Sequence, residues 1–324
     1  MQVAVFHGDR HITIGEAPLP VAGHDEVLLK VRRTALCGSD TKLWLKGTDI
    51  TPGHEIFGLV QQPGHALDGK RCLVYIPVHC GACDACRAGD TQMCLNESVL
   101  IGWNRPGGYA EYLTVPEPCL LPVPDDIEDD LAPLLLDTIG TAAHGIRFVK
   151  PLVPPETSRP VLVLGAGPVG MGALLALHSS GYTDLYVSDP RERRLQLAES
   201  FGAKRHPVGD TSRRFKLIVE CSGAHAARSL GMEIVLPRGV LILIGENDQP
   251  WPVQESRAIR RKDFYMVRSF YFPKGDFALN LALLRSAKAR YRQLVDARFG
   301  IDQLPGMFGR FVAGELLKPL LAFA

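Results

Sequence analysis

The sequence predicts a two-domain α/β protein in which a partly open β-barrel module is followed by a doubly wound parallel sheet. Three features point there. Short β-rich runs broken by glycine and proline fill the opening stretch; after the joint Lys150-Pro151-Leu152-Val153-Pro154-Pro155 strands and helices alternate; and the C-terminal region returns to a β-like run. A chain of 324 residues, 46% of them hydrophobic, is long enough for about two separate cores. The expected boundaries give residues 1–147 and 281–324 to the barrel domain and residues 148–280 to the sheet domain.

Charge narrows the class of partner. Lys+Arg of 36 against Asp+Glu of 35 leaves a formal net charge of +1, so there is no electrostatic case for nucleic acid or an anionic membrane surface. A small molecule is the expected partner. Met1 to Asp9 lacks a basic segment followed by an apolar core, and no apolar run approaches bilayer length, so the cytoplasm is the expected location. In that reducing compartment clustered cysteines argue for metal rather than disulfides.

Val3-Ala4-Val5-Phe6 and Val27-Leu28-Leu29-Lys30-Val31 open the barrel, separated by Pro18, Pro20 and Gly23. Between Thr34 and Gly58, Cys37 and His54 offer a thiolate and an imidazole, the donors that zinc prefers; a buried thiol and an unrelated histidine are the plain alternative. Ile56 to Val60 and Cys72 to Ile76 continue the strand pattern. Then come Cys80, Cys83, Cys86 and Cys94, four thiols close enough in sequence to converge on one tetrahedral ion and leave no position for substrate. This pattern reads as a structural zinc site, with His79 as a solvated neighbour. Asp125 to Asp130 reads as an acidic helix start, its charges serving that start and solvation, and Leu131 to Val149 as the helix. Asp137 follows the apolar Leu134-Leu135-Leu136, where a carboxylate is costly to bury unless paired or bound to metal. It is therefore a candidate third ligand beside Cys37 and His54, or an N-cap for a helix starting at Thr138.

In the second domain, Val161-Leu162-Val163-Leu164 leads into Gly165-Ala166-Gly167-Pro168-Val169-Gly170 and an apolar helix. Such a glycine triplet between a buried strand and a helix is a dinucleotide fingerprint, and Asp189, ending the next strand, supplies the acid expected to bind ribose hydroxyls. The predicted cofactor-binding residues are Gly165, Gly167, Pro168, Val169, Gly170, Asp189 and Arg194. Asp189 favours NAD over NADP, because a carboxylate repels a 2′-phosphate; Arg191, Arg193 and Arg194 pull the other way, unless they form a solvated helix face. Further strands are expected at Leu217 to Glu220 and Val240 to Gly245, an apolar aromatic strand at Phe264 to Phe272 that could join subunits edge to edge, a helix at Phe277 to Ala287, and a last strand near Pro319.

Taken in order, Cys37-Gly38-Ser39-Asp40, Gly53-His54-Glu55, the four-cysteine cluster, Asp137 to His144, and Gly165 to Gly170 with Asp189 resemble the zinc-dependent medium-chain alcohol and polyol dehydrogenases over nearly the whole chain. The resemblance implies a GroES-like barrel domain, a Rossmann domain, and a homodimer or homotetramer. It also implies a catalytic zinc on Cys37, His54 and Asp137 with Glu55 as an alternating carboxylate, Ser39 passing the substrate proton, and Asp40 orienting His54. The carboxylate Asp137 is similar to that of sorbitol- and threonine-type branches, which implies secondary alcohols of polyols, sugars, amino alcohols or cyclitols as substrates. At Lys42 many relatives carry a relay histidine. Trp44, Trp103 and Arg105 are candidates for the pocket wall or for packing. Two rival readings are a zinc-free quinone or enoyl reductase of the same architecture, which would bind one zinc rather than two, and an NAD-sensing protein without catalysis.

Overall fold

The structure is a computed structural model and describes residues 1–157, 160–253 and 255–323. The chain forms two compact units, one of Met1–Leu136, Pro273–Phe277 and Tyr291–Ala324, the other of Asp137–Phe272 and Ala278–Arg290. The second unit thus begins earlier than residue 148, because the stretch from Asp137 to Val149 packs on the helix Pro168–Ser179.

In the first unit, strands Gln2–Gly8 and His11–Glu16 form an antiparallel hairpin. The larger sheet runs in the order Ala297–Phe299, Pro319–Ala322, Glu26–Ala35, Glu55–Val60, Arg71–Val74, Leu120–Pro122, with Tyr112–Pro116 pairing the first half of Glu26–Ala35. That path has two ends, so the barrel stays partly open. Period-two burial sets the register: Val27, Leu29 and Val31 point into the core while their neighbours are half-buried. The last strand pairs antiparallel with Glu26–Ala35, Leu320 opposite Ala35 and Leu321 opposite Thr34. Phe6, Leu36, Tyr109, Phe299, Phe308 and Leu321 pack into one cluster, which binds the first strand to the last.

Two local expectations need correction. Leu131 to Val149 is not one helix but a 3₁₀ turn at Ala132–Leu135, a π-turn at Asp137–Thr141 and an α-helix at Ala142–Val149. An almost uniformly apolar run hides such changes of winding, since most of its residues are buried whichever way it winds. The acidic stretch before it does more than start a helix and meet solvent: Arg71 donates to Asp129 at 2.9 Å, Arg33 to Asp130 at 2.6 Å, and Arg298 also pairs with Asp130.

In the second unit, six parallel strands lie in the order Lys204–Arg205, Leu185–Ser188, Val161–Leu164, Phe215–Glu220, Val235–Leu243, Tyr265–Arg268. Numbered along the chain this is 3-2-1-4-5-6, the doubly wound order whose ligand crevice opens beyond the carboxyl ends at the reversal point. Val161–Leu164 and Leu185–Ser188 are buried at every position, as a strand covered on both faces must be. Tyr265–Arg268 forms one edge, with Tyr265 and Met266 exposed. Among the described residues no helix is long and apolar enough to cross a membrane.

Candidate active site

Strand Glu26–Ala35 ends just before Cys37, and strand Glu55–Val60 begins just after His54; the two strands pair, Ala35 opposite Glu55. This register, rather than the length of the intervening loop, brings Cys37, His54 and Glu55 together. Asp137 opens the π-turn immediately after Leu136, the residue at which the first unit breaks off. The turn is held by the helix that follows the glycine loop: a Cβ at Gly172 would stand 1.7 Å from the Thr138 carbonyl oxygen, so only glycine permits that approach. A π-turn is rare and tends to occur at functional sites. One donor atom from each of Cys37, His54, Glu55 and Asp137 lies within 4.8 Å of the others.

The surroundings orient these donors. Asp40 is wholly buried; its Oδ1 is 3.0 Å from His54 Nδ1 and its Oδ2 accepts from the Tyr109 hydroxyl at 2.6 Å. Burial first, and the Asp40 charge second, push the Tyr109 phenol well above its ordinary pKa, so it remains a donor. With Nδ1 turned to Asp40, Nε2 is the ring nitrogen that would face an ion. Ser39 donates to Cys37 Sγ at 3.2 Å and is half-buried. Glu55 is fully buried and paired through Oε1 with Lys318, itself 1% exposed and donating to the Leu36 carbonyl at 3.2 Å. Buried Glu55 and half-buried Asp137 put two carboxylates beside the Cys37 thiol, a grouping that a bound cation would stabilise.

The four cysteines converge as expected. Cys83 and Cys94 sulfurs are 3.9 Å apart and those of Cys80 and Cys94 3.6 Å, close to the ~3.8 Å edge of a zinc–sulfur tetrahedron. Backbone amides prepare the charge: Ala82 and Cys83 donate to Cys80 Sγ, while Cys86 and Leu95 donate to Cys83 Sγ. Those last two bonds bring the Cys83 thiol down to about 6, and the Cys80 thiol is lowered in the same way. His79 is outside the cluster, against the Tyr75 ring and 3.2 Å from the Pro77 carbonyl.

In the glycine loop, Gly167 is the extended residue before helix Pro168–Ser179, whose first turn holds Pro168, Val169 and Gly170. Asp189 is buried; its Oδ2 accepts from the Ala166 amide at 2.8 Å and its Oδ1 from the Arg191 amide at 2.9 Å. Arg194 reaches back to 3.8 Å from Asp189 Oδ2 and lies beside Gly167. Asp189 and Arg194 therefore meet at the glycine loop.

Lys318 and Tyr109 were missed in the sequence. Lys318 carried a signal of the kind used for Asp137, a lone charge between Leu316-Leu317 and Pro319-Leu320-Leu321. Of the three candidates for the pocket wall, Trp103 lies 5.1 Å from the His54 ring, Trp44 packs with Phe308, and Arg105 pairs with Glu26.

Residues 23–125 match the alcohol dehydrogenase GroES-like domain. An L-threonine 3-dehydrogenase from Shewanella baltica is 34% identical over 239 residues, spanning 70% of this chain and 67% of that protein. Among solved structures, an alcohol dehydrogenase from Thermus sp. ATN1 superposes with a TM-score of 0.90 at 26% identity, and galactitol-1-phosphate dehydrogenase from Escherichia coli with 0.87 at 23%, each over 100% of both chains.

Proposed function

Because the chain belongs to the zinc-containing medium-chain alcohol dehydrogenase family, we propose that it oxidises a secondary alcohol of a polyol, sugar, cyclitol or amino alcohol to the ketone, with NAD as hydride acceptor. The observation that supports this most is the convergence of Cys37, His54, Glu55 and Asp137, a thiolate, an imidazole and two carboxylates. The carboxylate Asp137, and a relative named for L-threonine, favour hydroxyls on substituted carbon chains.

Cys37, His54 and Asp137 would hold the catalytic zinc, with Glu55 as the alternating ligand, and Cys80, Cys83, Cys86 and Cys94 the structural one. When bound, the ion would supply Lewis acidity toward the substrate hydroxyl and the nicotinamide a hydride acceptor. The remaining work belongs to the chain. Asp40, fixed by Tyr109, holds the His54 ring in one tautomer and orientation. Lys318 balances Glu55, so that the added carboxylate does not load the site with uncompensated charge. Ser39, beside Cys37 and open toward solvent on one side, carries the released proton outward. Gly165, Gly167, Pro168, Val169 and Gly170 leave room for the pyrophosphate at the helix start, and Asp189 selects NAD by accepting from the ribose. Arg194, 3.8 Å from Asp189 Oδ2, would leave some NADP activity. The free edge of Tyr265–Arg268 is the proposed contact of a homodimer or homotetramer, and the cytoplasm the proposed location.

The direct test is NADH formation across polyols, sugars, cyclitols and amino alcohols, with NAD and NADP in parallel. Oxidation of at least one class with NAD is expected; silence across all four rejects the reading. Ser39→Ala should slow turnover while zinc content holds, and unchanged turnover at every pH would remove Ser39 from the proton path.

A further inference from the structure

His54 Nδ1 lies 3.0 Å from Asp40 Oδ1. Such a bond sets the tautomer and direction of the ring, and a metal ligand needs its plane set too. A second contact is present. The Trp103 indole lies against the imidazole, centroids 5.1 Å apart and planes 33° from parallel, and the Lys42 ammonium stands 4.2 Å from the centre of the same indole.

The indole is carried on a stiff support. Gly102 donates to the Arg105 carbonyl at 2.8 Å and Trp103 to the Leu100 carbonyl at 3.1 Å, while the Asn104 side chain accepts from the Leu100 amide at 2.7 Å. Arg105 is tied to Glu26. Gly102 has φ +88, and a Cβ there would come within 2.6 Å of the Gly53 carbonyl oxygen and 2.9 Å of His54 Cβ. This turn is therefore seated directly on the backbone that carries His54, and its next residue presents the indole. Lys42 comes from the opposite direction in sequence, on the short helix Thr41–Lys46 that follows Cys37 and Asp40. An ammonium over an indole face is attracted by the ring quadrupole, and indole is the best partner for it.

We propose that Trp103 is a positioning residue for the metal-binding imidazole, fixing the plane of His54 while Asp40 fixes its tautomer, and that Lys42 keeps the indole in place. Lys42 then has a structural task, and the proton leaves by Ser39 and solvent. The proposal rests on the reading of His54 as a ligand of the catalytic ion.

The test uses the full-length protein reloaded with Co²⁺, following the visible absorption band and the affinity for the ion by chelator competition. The His54→Ala protein supplies the background from the cysteine cluster. Trp103→Ala should weaken the second ion by about tenfold, the low end of what an orienting partner contributes, and shift its band. Trp103→Phe, which keeps a flat ring, should restore most of both, and Lys42→Met should move both the same way by less. Retention of the cysteine-cluster ion in each variant certifies the fold. An unchanged affinity and band in Trp103→Ala, or a Phe variant no better than the Ala variant, overturns the proposal. A second ion still bound in His54→Ala would instead bring down the metal reading and this inference with it.

Discussion

Cys80, Cys83, Cys86 and Cys94 lie within one short segment and are prepared by backbone amides of that same segment, whereas Cys37, the pair His54-Glu55 and Asp137 come from three separate stretches and are prepared by distant side chains. The difference is one of chemistry as well as location. A closed shell of thiolates needs only its own charge stabilised, and neighbouring N–H groups do that. A mixed donor set with one position open for substrate must have its ring orientation and net charge fixed from outside, and Asp40, Tyr109 and Lys318 supply both.

The largest test of this contrast removes one donor from each cluster. His54→Ala should lower zinc from about two ions per chain to about one and cut turnover by more than the roughly 10–100-fold typical of losing an outer partner. Cys83→Ser should also cost one ion, yet show its main effect as a lower melting temperature, with turnover per folded molecule largely kept. Equal losses of turnover in the two would erase the distinction.

Next in size is Lys318→Met. It strands the buried Glu55 charge, so chemical unfolding should report a loss of about 3–5 kcal/mol, and adding Glu55→Gln should recover much of it. A loss of a few tenths would mean that Glu55 is neutral or balanced elsewhere.

The smallest effect separates thiols by their surroundings. Cys83 is lowered to about 6, so in metal-stripped protein it is mostly thiolate at pH 7 and should be alkylated quickly; below pH 6 the rate should fall roughly tenfold per unit as the thiol is reprotonated. Burial raises Cys72 and Cys119 to about 11, and both should stay unmodified at neutral pH. Mass spectrometry of the labelled cysteines across pH reads both limbs.

The same contrast governs what could be read from the sequence. The four cysteines, the glycine loop with Asp189, and the strand-and-helix alternation are local patterns, and each was legible. Cys37 and His54 could be proposed because a thiolate and an imidazole are donors that zinc prefers, and Asp137 because a carboxylate after a run of leucines is costly to bury unless paired or bound to metal. Their supports were not legible, because Tyr109 meets Asp40, and Lys318 meets Glu55, only after long segments have folded. Asp129 and Asp130 looked like solvated helix-start charges for the same reason: nothing near them in sequence announces Arg71, Arg33 or Arg298.

Lys318 also imposes a timetable. Cys37, His54 and Glu55 leave the ribosome early, but the counter-ion for Glu55 is not made until residue 318 is translated. Until then Glu55 lacks this partner, so the strand Pro319–Ala322 that extends the sheet also delivers the charge that Glu55 is buried against.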